Sequence, residues 1–271
     1  MNKIPVTVLV PIKNEEINLR KSLPLLTDFD QLILLDSQST DESLRIGESY
    51  GAEIHQFNWD GKFPKKRNWA LRNLEIKNDW VLFLDADEYV TPEFIEELKV
   101  VITNPYVNGY WIVFRNYFMG QQLKHGDQFK KLPLFRKGSG EYERIIEDSW
   151  SHLDMEVHEH PILEGKVGTF KSHIAHNDYK GLEHYIARHN AYSSWEARRF
   201  IRLKESGFEG LNSRQRLKYK LIALGVMPFA YFWGNYILKA GFLDGKAGYY
   251  FSKYKANYFF QIQTKIKELT S

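Results

Sequence analysis

The sequence predicts an α/β fold in which a Rossmann-like, mixed but mostly parallel sheet carries helices on both faces, with a helical C-terminal extension. Three observations predict it. Short apolar runs alternate with helix-period segments through roughly the first 100 residues. Those runs are almost continuously apolar, as parallel strands covered on both faces are. Beyond residue 200 the chain turns basic and aromatic. At 271 residues, 43% hydrophobic and 26% charged, it has the length for one large domain, or a domain with an appendage, around a substantial core.

Each element has its own signal. PVTVLVP (5–11) reads as the first strand, and EEINLRKSLPLL (15–26) as a helix with Leu19, Leu23 and Leu26 at helical spacing. QLILLD (31–36) is the second strand. STDESLRIGESYG (39–51) then opens a helix at Ser39 or Thr40 as N-cap, with Asp41 and Glu42 in its first turn, and closes at Gly51. AEIHQF (52–57) is a third strand, FPKKRNWALRNLE (63–75) a helix with Pro64 near its start, and DWVLFLD (79–85) a fourth strand. At TPEFIEEL (91–98), Thr91 caps and Pro92 takes the first helical position. After residue 105 the rhythm changes. GYWIVFRNYFMG and FKKLPLFRKG read as strands of a mixed extension, YERIIEDSWSHLDMEVHEHPILEG is rich in acids and histidines, and a short strand precedes a long helix ending near residue 200.

Ligands of such sheets bind beyond the carboxyl ends of the strands. That rule singles out the loops after Pro11, after Asp36, near Trp59 and after Leu84, all polar or acidic. The last reads DADE, so Asp85, Asp87 and Glu88 crowd the exit of WVLFL. Carboxylates this close raise the cost of ionising one another unless positive charge compensates. Asp87 is suited to hold a divalent cation that neutralises a diphosphate, and Asp85 to bind a ribose or share the metal. Asp36 is placed to accept an N–H from a base. KKRN, at a helix start, sets cations against the dipole and so asks for an anionic partner.

VPIKNEE, LLDSQSTDES, FPKKRN and FLDADEYV, in this order, resemble the nucleotide-sugar half of family 2 glycosyltransferases with a GT-A fold. DADE supplies the DxD motif. LPLFRKG, VHEH, HIAH and YILKAGFLDGKAGYYFSKYKAN extend the resemblance to the subgroup of lipopolysaccharide core β-1,4-glucosyltransferases. With the shift to basic composition near residue 200, the expected organisation is a GT-A catalytic domain over residues 1–200, with a nucleotide-binding half (1–105) and an acceptor half (106–200), followed by a basic, aromatic-rich helical extension over 201–271. The resemblance implies that Pro11, Glu15 and Asp36 surround uridine, that Lys66 and Arg67 lie near the nucleotide, that Asp85 faces ribose, and that Asp87 holds Mn2+ or Mg2+. His176 or His158 completes the metal shell in this reading. An inverting displacement needs a carboxylate base. Glu159 of VHEH is the expected one and Asp148 of IIEDSW its competitor. The resemblance implies a UDP-sugar as donor and a lipid-linked glycan as acceptor. Two other readings compete: a non-catalytic nucleotide- or glycan-binding scaffold of the same fold, and a transferase using another nucleotide sugar for a different surface polysaccharide.

The chain contains no cysteine, which rules out disulfides and thiolate zinc sites and fits a reducing compartment. The histidines include no HExxH, which argues against zinc. The N-terminal apolar stretch is too short and wrongly flanked for a secretory signal. From Arg198 to Ser271 there are fourteen Lys or Arg against four Asp or Glu. Because these cations interleave with apolar and aromatic runs, an anionic membrane surface is the expected partner and a nucleic acid polymer is not. The uncharged run LIALGVMPFAYFWGNYIL (221–238) is at the lower limit for a span and is broken by Gly225, Pro228, Gly234 and Asn235. An interfacial helix pair is expected, with packing against the catalytic domain or a dimer interface as the alternative. The location is then cytoplasmic, peripheral at the inner face of the cell membrane.

Overall fold

A computed structural model describes residues 3–144, 160–209 and 211–271. Its contacts divide the chain into two units, one of residues 1–116 and 129–179, the other of 117–128 and 180–271. The expected boundary near residue 200 falls inside an unbroken helix, Gly181–Ser206, which belongs wholly to the second unit.

The first unit is the α/β body. In chain order its elements are β1 (Ile4–Ile12), α1 (Glu16–Ser22), β2 (Phe29–Asp36), α2 (Ser43–Ser49), β3 (Glu53–Gln56), α3 (Lys66–Asn73), β4 (Trp80–Phe83), β5 (Glu88–Val90) and α4 (Pro92–Val101). Then follow β6 (Gly109–Phe118), whose last two residues enter the second unit, β7 (Gln121–Gln122) of that second unit and, back in the first, β8 (Phe129–Arg136), β9 (Gly140–Tyr142), β10 (Pro161–Leu163) and β11 (Val167–His176). The main sheet runs β3-β2-β1-β4-β8-β6-β11-β5. Strands β1 to β4 are mutually parallel, β8 enters antiparallel between β4 and β6, and β11 lies parallel to β6 and antiparallel to β5.

The apolar runs are buried on both sides, as their lack of alternation predicts. Val6, Val8, Val10 and Ile12 of β1 face a core that includes Leu19, Ile46, Phe94 and Leu98 from α1, α2 and α4. The opposite face presents Leu9 with Ile33, Leu35, Val81 and Phe83 to a second core closed by Ala70 of α3 and Tyr142 of β9. Thr91 caps α4 as expected, its hydroxyl accepting from the Phe94 N–H at 3.2 Å, with Pro92 in the first turn. The capping expected of Ser39 or Thr40 is not found. Helix α2 starts at Ser43 after Glu42 and has no side-chain cap, because the preceding polar side chains are engaged by the β1 loop instead.

The second unit is helical, with a short hairpin. Its helices are α5 (Gly181–Ser206), α6 (Ser213–Ala223), α7 (Met227–Trp233) and α8 (Gly245–Thr270), with a π-turn over Gly234–Leu238. Ala197, Phe200, Tyr219, Ile222, Phe259 and Ile262 form its core. The Asp244 carboxylate accepts the backbone N–H groups of Lys124 at 3.0 Å and His125 at 2.9 Å, tying the hairpin loop to the start of α8. Gly248 passes so close to Gly241 that a Cβ there would meet its carbonyl oxygen at 2.0 Å. Among the described residues no helix is long and apolar enough to cross a membrane.

Lys255 places its Nζ 3.2 Å from His189 Nε2 among aromatic rings. Burial lowers its ammonium to about 8, with the Arg188 charge adding to the effect and Asp127 opposing it. Since the unfolded chain then binds more protons, this group makes stability rise with pH from about 8 to about 10.5. Melting temperatures measured across that window should climb, and Lys255→Met should flatten the climb.

Candidate functional site

The register of the parallel strands sets the starts of all four expected loops at one rim. Pro11 lies opposite Leu35 and Ile12 opposite Asp36, Asp36 opposite Gln56, and the Leu84 N–H donates to the Leu9 carbonyl at 3.0 Å. The first two loops are stitched to each other. Asn14 N–H donates to Ser39 Oγ at 2.8 Å, Thr40 N–H to Asn14 Oδ1 at 2.8 Å, Glu15 N–H to Ser43 Oγ at 2.8 Å and Glu16 N–H to Asp41 Oδ2 at 3.1 Å. Asp36 is fully buried, its carboxylate accepting from Ser39 N–H and Oγ–H and, at 2.9 Å, from Gln56 Nε2. Glu15 accepts from Asn18 Nδ2 at 2.9 Å. Asn18, itself buried, also donates to Asp178 at 3.1 Å and accepts from Tyr179 N–H at 3.0 Å, which anchors the β1 loop to the chain just past β11.

The DADE turn closes on itself, with Glu88 N–H donating to the Asp85 carbonyl at 3.0 Å and Asp85 N–H donating to Glu88 Oε2 at 2.9 Å. Much of the positive charge that three adjacent acids demand comes from the protein. Arg67 Nη2 meets Asp85 Oδ1 at 2.7 Å, and Lys131 Nζ bridges Asp85 Oδ2 at 2.6 Å and Glu88 Oε1 at 2.5 Å. Arg67 also lies over the Tyr142 ring, and Lys131 near the faces of Phe114 and Phe129. Burial alone would raise the Asp85 carboxyl, but the charges of Lys131 and Arg67 outweigh it and hold the group well below the usual carboxylate range. Burial pushes the Glu88 carboxyl up to about 7 against the pull of Lys131. For Lys131, burial works downward, yet Asp85 and Glu88 together keep the ammonium above its ordinary value. Asp85 is therefore an ionised, oriented acceptor in a network of two cations and two acids.

Asp87 is held differently. Its side chain is buried, and its Oδ2 lies 3.3 Å from His176 Nε2. The pairing of β11 with β5 and β6 sets His176 between Glu88 and Asn116. His176 Nδ1 is 2.9 Å from Asn116 Oδ1, so an Nδ1–H bond to Asn116 leaves Nε2 as the ring nitrogen turned toward the carboxylate. Two acceptors so placed need a proton or a cation between them. Their 3.3 Å separation is close to the ~3 Å edge between neighbouring ligands of a small octahedral ion. The carboxylate oxygen suits Mn2+ or Mg2+, and the imidazole nitrogen beside it favours the transition ion of the two, Mn2+. Among the described residues no three His, Asp or Glu side chains form a self-sufficient metal site, so a cation here would take its other ligands from water or phosphate.

Lys66 is buried, with Nζ 3.4 Å from the Ile12 carbonyl, at the same rim. Glu159, Asp148 and His158 lie outside the described residues. Four participants went unnoticed in the sequence: Lys131, Glu88 as Lys131's second anchor, Asn18 and Asn116. Of these, Lys131 left a signal, a lysine in the apolar strand FKKLPLF with no role of its own. The asparagines left none. A separate cleft lined by Lys3, Lys77, Trp80 and Arg136 sits at the amino-terminal rim of β1 and β4, away from these groups.

The model of glycosyl transferase family 2 matches residues 7–155. The chain belongs to this family. Over 97% of its length this family 2 glycosyltransferase is 26% identical to the lipopolysaccharide core biosynthesis glycosyltransferase LpsC of Rhizobium meliloti, covering 92% of that protein. It is 23% identical to an uncharacterized glycosyltransferase of Rickettsia bellii, with 73% of this chain and 68% of that one aligned. Among solved structures, the mannosyltransferase PcManGT of Pyrobaculum calidifontis, in complex with GDP-Man and Mn2+, superposes with a TM-score of 0.54 at 15% identity, covering 97% of this chain and 87% of that one. The transferase thus has the GT-A fold that its strand order and carboxyl-rim site suggest.

Proposed function

We propose that the protein is an inverting, divalent-cation-dependent hexosyltransferase that moves glucose from a UDP-sugar to a lipid-linked glycan of the lipopolysaccharide core type, peripherally at the inner face of the cell membrane. The observation that carries this reading is the Asp87–His176 acceptor pair beside the Asp85–Arg67–Lys131–Glu88 network, at the rim where family membership leads one to seek a nucleotide sugar. The relative LpsC supports the acceptor class by its name, and the complex of PcManGT with GDP-Man and Mn2+ supports a nucleotide-sugar donor with a divalent ion.

In this reading Asp87 and His176 hold Mn2+ or Mg2+, which when bound offsets the charge of the departing diphosphate. Asp85, already ionised and fixed by two cations, accepts from a ribose hydroxyl without reorganising. Arg67 and Lys66 keep the diphosphate end of the rim positive. Pro11, Glu15 and Asp36 frame the base, with the Asn14–Ser39–Asp41 stitching holding both loops in place. Glu159 takes the proton of the acceptor hydroxyl, and Asp148 is the competing assignment.

Turnover of a panel of UDP- and GDP-sugars, with and without Mn2+, tests the reading. Release of UDP from a UDP-hexose that requires the metal supports it. No turnover of any nucleotide sugar, or full turnover in chelator, overturns it. Removing a general base costs roughly 10²- to 10⁴-fold. Glu159→Gln should lose transfer by that amount while nucleotide affinity stays unchanged, and if Asp148→Asn alone behaves so, the base is Asp148.

A further inference from the structure

The helical unit carries an apolar face that its own core leaves uncovered. Between Lys220 and Lys239 the chain has no charged residue. This stretch folds as the end of α6, the turn at Gly225, α7 and the π-turn, not as one long helix. Pro228 and Asn235 point inward, and Met227 and Tyr231 pack on the core of Phe259 and Ile262. The opposite side shows Val226, Phe229 (71% exposed), Trp233 (59%), Ile237 and Leu238 (85%). Steps of three and four residues between Val226, Phe229, Trp233 and Ile237 put these side chains on one helical stripe. Phe242 and Leu243, after the π-turn, are exposed as well. A contiguous apolar stripe open to water marks a contact surface.

Charge decides the partner. Lys220, Lys246 and Arg214 are exposed and have no acidic partner among the described residues, and residues 198–271 hold fourteen Lys or Arg against four Asp or Glu. A second copy would bring two such cationic surfaces together, whereas an anionic lipid surface complements one. The helical segment from Met227 to Leu238 spans only ~18 Å, against the ~30 Å of a bilayer's hydrocarbon core. Exposed Trp and Phe beside lysines suit the headgroup boundary.

We infer that the Val226–Leu243 face docks on an anionic lipid bilayer, lying in the interface with Phe229, Trp233, Leu238 and Leu243 buried in it and the flanking lysines at the headgroups. This deepens the proposed location at a membrane, but it does not depend on donor, acceptor or catalysis.

Cosedimentation of the full chain with vesicles of phosphatidylcholine, with and without phosphatidylglycerol, tests it. The protein should pellet with the anionic vesicles, about tenfold or more tighter than with phosphatidylcholine alone, and added salt should weaken the difference. Phe229→Glu with Leu238→Glu should reduce pelleting about tenfold or more at an unchanged melting temperature. If that pair melts early, Phe229→Ala with Leu238→Ala provides the same comparison. Lys220→Glu with Lys246→Glu should weaken binding to the anionic vesicles only. A wild-type protein that stays in the supernatant with both vesicle types overturns the inference. So does a wild-type dimer in light scattering that Phe229→Glu converts to monomer, which would assign the face to a second copy. Failed sugar transfer with intact vesicle binding would sink the transferase reading and leave this one standing.

Discussion

Asp87→Ala should reduce metal-dependent transfer by about a thousandfold while leaving the melting temperature of the ligand-free protein within a few degrees of wild type. The size follows from what the side chain is proposed to do. Charge stabilisation by a bound cation is worth several kcal/mol, and ~4 kcal/mol is about a thousandfold in rate. The Asp87 carboxylate lies 3.3 Å from His176 Nε2, so the change is aimed at the proposed ion site, and an unchanged melting temperature separates loss of the ion from loss of the fold. Binding of Mn2+ with UDP, followed by calorimetry, should vanish in the same variant. If transfer persists at more than a tenth of the wild-type rate, Asp87 does not hold the ion. His176→Ala should act in the same direction with a smaller effect, since carboxylate and phosphate oxygens still support the ion.

Lys131→Met should be the most destabilising single change at the site, by about 3–5 kcal/mol, the typical cost of stripping one partner from a buried ion pair. Lys131 bonds two carboxylates at once, and Glu88 is 1% exposed. Without the lysine, Asp85 keeps Arg67, whereas the Glu88 carboxyl, which burial already pushes up to about 7, loses the charge that pulls it down and must take up a proton or stay ionised without its cation. Urea unfolding should record the loss as a lower midpoint at unchanged slope. Adding Glu88→Gln to Lys131→Met should restore part of it, most above pH 7, because the amide neither carries a charge there nor needs a proton to lose one. If the double variant is as unstable as the sum of the singles, the two side chains are not coupled and the network is misread.

The sheet and its helices were legible because near-continuous apolar runs leave few alternatives for PVTVLVP, QLILLD and WVLFL. The Thr91–Pro92 start was legible for a local reason, since cap and first turn are adjacent in sequence. The cap expected at Ser39 or Thr40 shows where local reading fails. The same hydroxyls and carboxylates that can cap a helix can satisfy the amides of a neighbouring loop, and Asn14, Glu15 and Glu16 lie some 25 residues away along the chain. DADE was recognisable as a charge problem, but its partial solution was not. Lys131 reaches Asp85 across a separation of 46 residues, through an antiparallel strand whose place beside β4 no local pattern encodes. The boundary expected at residue 200 came from a shift in charge, and charge follows the surface, whereas the helix from Gly181 follows its buried residues Trp195, Ala197 and Phe200.

The path of the chain restricts how this protein can be cut. Because residues 117–128 leave the α/β body and return to it, a protein ended at Tyr179 would still contain that excursion. The amides of Lys124 and His125 would have lost the Asp244 carboxylate, and the Gly126 N–H its acceptor at Lys239. Deleting the helices therefore does not release a minimal enzyme. A version without the proposed lipid contact is better sought by changing surface residues in the complete chain than by shortening it.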